Sequence, residues 1–427
     1  MPGLMSPARE TGRRPHATRY DASLRLQQEE HDGPNRRSPH GNEAHQIHPP
    51  PGSTRPFDDA YRYAATAHVP CGPACRVPVC LPALGLDMSR PMALPGAALA
   101  VDYVQARSPD ALLTADTLAV FGFGNDAPHC DDPRYVRVPL QPYGQAPFEH
   151  WRAAGPVDFG REGVAQTGQI RWASDGQLTF GVIEIDEPVG VHANHSDICE
   201  AAERAYTQLV GFVSGSRTPH LLRVWNYLDA ITQGDGDAER YRQFCIGRAR
   251  GLGRFDTIEL PAATAIGRCD GRRTLQVYWL SAAHRGTPVE NPRQVSAYRY
   301  PREYGPQSPS FARAMLPPRD SRMPLLLSGT ASVVGHASLH PGELLGQVGE
   351  TFANFDALLA EARRHQPSLP AGFGTGTRLK VYVRDAEDLP VVAQALDARF
   401  GTSVPRVLLH AAICRRELAV EIDGVHV

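Results

Sequence analysis

Between residues 88 and 427 one order of elements occurs twice, and this repetition constrains the fold more than any other feature of the chain. In the second copy Leu325, Leu326 and Leu327 form a strand that runs into the small-residue loop Ser328-Gly329-Thr330-Ala331. A helix follows over residues 341–364, with Leu344, Val348, Phe352, Phe355, Leu359 and Ala362 on one stripe. Residues 379–383 alternate as a strand, and Pro390 and Gly401 bracket a second helix as its first-turn residue and its stop. Val407, Leu408 and Leu409, then Leu418, Val420 and Ile422, make two closing strands. The first copy reads in the same order. Residues 118–124 are strand and glycine loop, and segments near 169–172 and 178–185 extend the sheet. A helix capped by Ser196 carries Ile198, Ala202, Ala205, Leu209 and Phe212. Residues 221–225, 239–250 and 274–280 complete it as strand, helix and strand. The expected fold class is α+β: two tandem units, each a mixed sheet with helices packed on one face.

The rest of the chain reads differently. Residues 1–87 are rich in Arg, His, Pro, Gly and Asn and show no sustained period, so they are expected to be disordered. Cys71, Cys75 and Cys80 fit no zinc-ligand spacing, and Met88, where ordinary composition begins, is a candidate start of translation. The expected organisation is an extension over 1–87, a first unit over 88–283, a linker over 284–323 and a second unit over 324–427. A formal charge of −2 with scarce Lys gives no support to a nucleic-acid partner. No apolar run is long enough for a membrane span, and eight cysteines in 427 residues form no disulfide frame, so a cytoplasmic protein is expected.

Two charges stand out at the end of the chain. Arg406 opens one closing strand directly after Pro405, and Glu421 lies inside the apolar last strand. If those strands form a hairpin through the turn Arg415-Arg416-Glu417, cation and carboxylate face each other near one edge. A rim salt bridge is the plain alternative. In the first copy Pro261 matches Pro405, but Ala262 and Tyr278 stand where Arg406 and Glu421 would fall. A pair present in one copy and absent from the other is not needed for folding, and this points to one site per chain.

The second copy resembles the RidA/YjgF (chorismate mutase-like) family of imine deaminases, which place an arginine on a late strand and a glutamate fifteen positions later, as Arg406 and Glu421 are placed. The tandem arrangement is similar to the chorismatases. The likeness is carried by 328–336, by 298–306 with 308–313, by Trp225-Asn226-Tyr227 and by 240–248. It implies cleavage of the enolpyruvyl ether of chorismate, with Glu421 as proton donor. Cys414, seven residues before it, implies an aromatising member, most like the bifunctional enzymes that make 3- and 4-hydroxybenzoate for aryl-polyene pigment and ubiquinone.

Vinyl ethers cleave on protonation of the terminal carbon, and a carboxyl among apolar neighbours keeps its proton at neutral pH, which suits Glu421. Chorismate carries two carboxylates, for which Arg406 and then Arg248 are the candidate clamps. Arg248 has the alternative of a solvated helix end. Tyr300 and Tyr304 are candidates to donate hydrogen bonds to a carboxylate or the ring hydroxyl, with the alternative that Tyr298 and Tyr300 pack in a strand. Gly329 and Ala331 offer a small-residue wall or backbone donors. Cys414 is a nucleophile, a wall or core filler, and product control is the role expected of it. This chemistry requires no metal, nucleotide or flavin. The alternatives are a chorismatase that releases a trans-dihydroxycyclohexadienoate, a tandem imine deaminase and a metabolite-binding module. The expected assembly is a monomer or a homotrimer.

Overall fold

The computed structural model describes residues 96–164, 168–188, 197–253 and 256–427, all within one compact unit, Asp87–Val427. Cys71, Cys75, Cys80, Met88 and Ser196 lie outside the described residues. In chain order the strands begin with β1 (Ala100–Val104), β2 (Thr117–Phe123), β3 (Tyr135–Val138), β4 (Gln141–Pro142), β5 (Phe148–Arg152), β6 (Asp158–Val164), β7 (Gly168–Ser174) and β8 (Leu178–Asp186). Helix α1 (Asp197–Ser214), β9 (His220–Asp229), α2 (Arg240–Leu252), β10 (Ala262–Arg268) and β11 (Thr274–Ala282) follow. The second half holds β12 (Thr287–Val289), β13 (Ala314–Leu316), β14 (Leu325–Ala331), β15 (Val333–Val334), β16 (Ala337–Ser338) and α3 (Leu344–His365). It ends with β17 (Arg378–Val383), α4 (Leu389–Phe400), β18 (Arg406–His410) and β19 (Val420–His426).

One sheet runs β10-β9-β11-β8-β7-β6, and another runs β18-β17-β19-β14-β13-β12, with β4 added beyond β18. The two orders agree strand for strand. In each, one parallel pair (β10 with β9, β18 with β17) is followed by antiparallel neighbours. Helices α1 and α2 cover the outer face of the first sheet, where Ile183, Leu209, Val224 and Val277 pack. Helices α3 and α4 cover the second, over Phe355, Leu359, Val381 and Ile422. The inner faces meet a third, four-stranded sheet, β1-β5-β2-β3, around Phe121, Trp151, Phe180, Trp225, Tyr278 and Tyr382.

Three expectations are corrected. Residues 118–124 belong to the four-stranded sheet, and the first repeated sheet begins with β6, ahead of the segments near 169–172 and 178–185. The stretch read as a linker supplies β12 and β13 to the second sheet. Lastly, β18 and β19 form no hairpin. The β17-α4-β18 segment is a crossover that makes β18 parallel to β17, so β19 returns along the other side of β17. Adjacency in sequence does not become adjacency in the sheet.

Candidate active site

Strand β19 has two dissimilar faces because side chains alternate across a strand. Val420 and Ile422 point into the core beneath α3 and α4, whereas Val425 packs in the core shared by the three sheets. Glu421 and Asp423 share that inner face by their odd-numbered spacing. Ala331 of β14 is the register partner of Glu421, and between Leu327 and Thr330 the pairing slips. This irregularity sets Gly329 directly against the carboxyl: a Cβ at 329 would overlap Glu421 Oε1.

Glu421 lies in the wall of a cavity of about 440 Å³ between the two repeated sheets. From α2 come Tyr241, Cys245 and Arg248, spaced i, i+4 and i+7 on one helical face. Thr264 of β10, Tyr300, Tyr304 and Arg313 from the segment before β14, and Cys414 and Arg415 from the turn before β19 complete the lining. Glu421 is 5% exposed, and burial pushes its carboxyl up to about 8. Asp423 adds to the rise, while Arg223, Arg313 and Arg415 oppose it. The group is therefore mostly protonated at neutral pH, as a general acid must be.

Two of the cations in the cavity wall, Arg248 and Arg313, are incompletely satisfied. Arg248, 5% exposed, donates from Nη1 to the Ser310 carbonyl (2.7 Å) and lies over the Tyr206 ring, but its Nε and Nη2 have no hydrogen-bond partner. Arg313 is 4% exposed and donates from Nη2 to the Val295 carbonyl and to Tyr300 Oη (2.7 Å), leaving Nε unpartnered. Arg415 stacks at 4.1 Å over Tyr304 and donates to the His336 carbonyl. Buried donors without acceptors are costly, so these guanidinium edges are suited to an anionic ligand.

Burial disfavours ionisation of the two thiols that line the cavity. Cys414 Sγ is 4.0 Å from Glu421 Oε2, and burial, with Glu421 beside it, raises its thiol far above the usual range. Burial takes Cys245 up to about 12. A neutral thiol is a poor nucleophile, and Cys414 lines the cavity beside the Glu421 carboxyl.

Seven of the eight residues singled out in the sequence line this cavity: Glu421, Cys414, Arg248, Tyr300, Tyr304, Gly329 and Ala331. Two of these need refinement. The Gly329 amide is already donated to Thr264 Oγ1 (2.9 Å), so the residue serves as a small wall and not as a free donor. Tyr300 and Tyr304 stand at 3-10 turns, not in a strand, and their hydroxyls meet Arg313 and His336. Arg406 is the correction. It lies opposite Leu379 on β17, away from the cavity, and is bound to Asp397 and the carbonyls of Val404 and Gly401. With β17 between β18 and β19, it cannot face Glu421. Arg313, Arg415, Tyr241 and Thr264 had been passed over. The i, i+4, i+7 spacing on α2 was a legible signal for Tyr241 and Cys245, whereas the charged turn at Arg415 looked like an exposed hairpin end.

Residues 149–281 match the family model described as chorismatase FkbO/Hyg5-like, N-terminal. A chorismatase of Streptomyces hygroscopicus is 35% identical over 284 residues, spanning 65% of this chain and 78% of that protein. The chain belongs to the chorismatase family. It shares 35% identity over 266 residues with a 3-hydroxybenzoate synthase of the same organism, covering 60% of this chain and 76% of that one. A crystal structure of a chorismatase superposes with a TM-score of 0.67 at 30% identity, covering 78% of this chain and all of that one. Among the described residues of this family member, no helix is long and apolar enough to cross a membrane.

Proposed function

We propose that this enzyme cleaves the enolpyruvyl ether of chorismate, releasing pyruvate together with 3-hydroxybenzoate, 4-hydroxybenzoate or both. The observation that carries this is one buried carboxyl, raised by burial to about 8, in a cavity with two buried guanidiniums that have donors to spare. Chorismate is a dianion, and Arg248 and Arg313 supply the two carboxylate contacts. Glu421 delivers its proton to the terminal methylene carbon, which becomes a methyl group and leaves an oxocarbenium ion at the ether carbon. Water adds there, the hemiketal collapses to pyruvate and a C3 alcohol, and a proton returns to Glu421. Loss of the C4 hydroxyl as water, with the C3 hydrogen leaving as a proton, gives 3-hydroxybenzoate. Cleavage at the C3–oxygen bond with loss of the C4 hydrogen gives 4-hydroxybenzoate instead. Cys414, in contact with the acid, is assigned to the choice among these outcomes, and the likeness to a 3-hydroxybenzoate synthase supports aromatisation.

Two repeated sheets of the same strand order support tandem RidA/YjgF-like units. The imine-deaminase alternative loses its basis, because Arg406, the carboxylate clamp it requires, is bonded elsewhere. The test is incubation of the protein with chorismate, following pyruvate by a coupled assay and the aromatic products by chromatography. Absence of pyruvate overturns the proposal. Pyruvate with only the dihydrodiol overturns the aromatising part alone.

A further inference from the structure

Behind the cavity lies a network of four buried charged side chains that substrate does not need to touch. Asp423 is completely buried, and its Oδ2 accepts from Thr264 Oγ1 (2.8 Å), Trp225 Nε1 (3.0 Å), Tyr382 Oη (3.0 Å) and Arg223 Nη2 (3.2 Å). Lys380 Nζ is 3.9 Å from Asp423 Oδ1 and 3.1 Å from Glu149, which reaches in from the four-stranded sheet. Two cations and two carboxylates balance. Removing four charges from water is expensive, and the same interior could be filled with apolar groups at little or no loss of stability. The network is tied to the cavity at one point. Thr264, which donates to Asp423, also accepts the amide of Gly329, the residue that abuts the Glu421 carboxyl.

We propose that Asp423 is a positioning residue for the reaction: its carboxylate, fixed by four donors two positions along β19 from Glu421, repels a second negative charge there and so keeps the proton on Glu421. This inference rests on the proposed role of Glu421 as general acid. Buried carboxyl groups at alternate positions on one strand face repel each other when both are ionised, so ionising Glu421 beside Asp423 is disfavoured. The rise in the Glu421 carboxyl has Asp423 as its largest cause after burial, in keeping with this geometry. The other groups that act on Glu421 are Arg223 from β9, Arg313 from the segment before β13, Arg415 and Cys414 from the turn before β19, and Tyr241 from α2. The arginines favour its ionisation, so Asp423 is the neighbour set against them.

The test is the pH profile of kcat/KM for pyruvate release by native protein and Asp423→Asn, with the Glu421 carboxyl titrated in parallel by carbon-13 NMR and assigned through Glu421→Gln. In the native enzyme activity falls as pH rises through the Glu421 titration. In Asp423→Asn both that limb and the NMR titration move down by about one pH step or more, so the loss is at least about fivefold greater at pH 8 than at pH 6. Should Asp423→Asn fail to fold, Asp423→Asn with Lys380→Met restores the charge balance and is expected to show the same downward movement. A uniform loss across pH with an unmoved titration, or no change at all, overturns the inference while leaving the Glu421 assignment intact. A native protein that releases no pyruvate overturns the assignment itself.

Discussion

Holding a proton on Glu421 has a consequence for stability that can be worked out with its sign. The folded carboxyl titrates at about 8 against an ordinary 4.5. The unfolded chain gives up this proton above 4.5, whereas the folded protein keeps it until about 8. Between those values unfolding releases a proton, so native stability falls with rising pH by about 1.4 kcal/mol per pH step from this group. The cost is absent below pH 4.5, reaches about 3 kcal/mol at pH 7 and levels off near 5 kcal/mol above pH 8. Glu421→Gln keeps the shape and removes the titration. The variant is therefore expected to lose at least about 10²-fold in pyruvate release while becoming more stable than native protein at pH 7–8. Urea unfolding of both proteins from pH 5 to 9 measures the difference, which should grow with pH and then flatten. A difference that is constant across this range shows that the folded protein does not hold the proton, and the general-acid assignment falls with it.

Four further outcomes are expected. Arg248→Met, or Arg313→Met, removes a charged donor to a substrate carboxylate and should raise KM for chorismate by about 10- to 100-fold in steady-state kinetics. Gly329→Ala places a methyl group against Glu421 Oε1 and should lower kcat by about 10²-fold, with a far smaller effect on the unfolding midpoint. Cys414→Ala should change the ratio of hydroxybenzoates to dihydrodiol seen by chromatography while pyruvate release stays within about tenfold of native. Arg406→Ala should leave kcat/KM within about twofold and cost at most about 1 kcal/mol in urea unfolding, since its partner Asp397 is exposed. A large kinetic effect at Arg406 would return the clamp to that strand.

Much of the fold was legible because periodicity is local. The stripe of α3, the Pro390 start and Gly401 stop of α4, and the inward face of β19 follow from spacing alone. Sheet order is not local. Nothing in residues 404–424 says that β17 lies between β18 and β19, and that one fact moves Arg406 out of the site. The comparison of the copies nevertheless singled out Glu421, which lines the cavity, because a polar residue in one repeat against Tyr278 in the other is a contrast that needs no geometry. Arg313 and Arg415 were hidden for a different reason. Each sits in irregular chain, where only the path of the backbone decides whether a cation is solvated or buried.

Tyr278 gives the duplication a further meaning. At the strand position equivalent to Glu421, its ring stacks on Trp225 with centroids 4.7 Å apart, and its hydroxyl meets Tyr227 and Lys380. A single unit repeated around an axis must put the same residue at every equivalent interface, so each acid site would weaken every junction alike. With two copies on one chain, the junctions can be divided between tasks: one is kept hollow and acidic, and the other is filled with aromatic rings. The cohesion of the aromatic junction lets the acidic one hold an uncomfortable proton without the assembly coming apart.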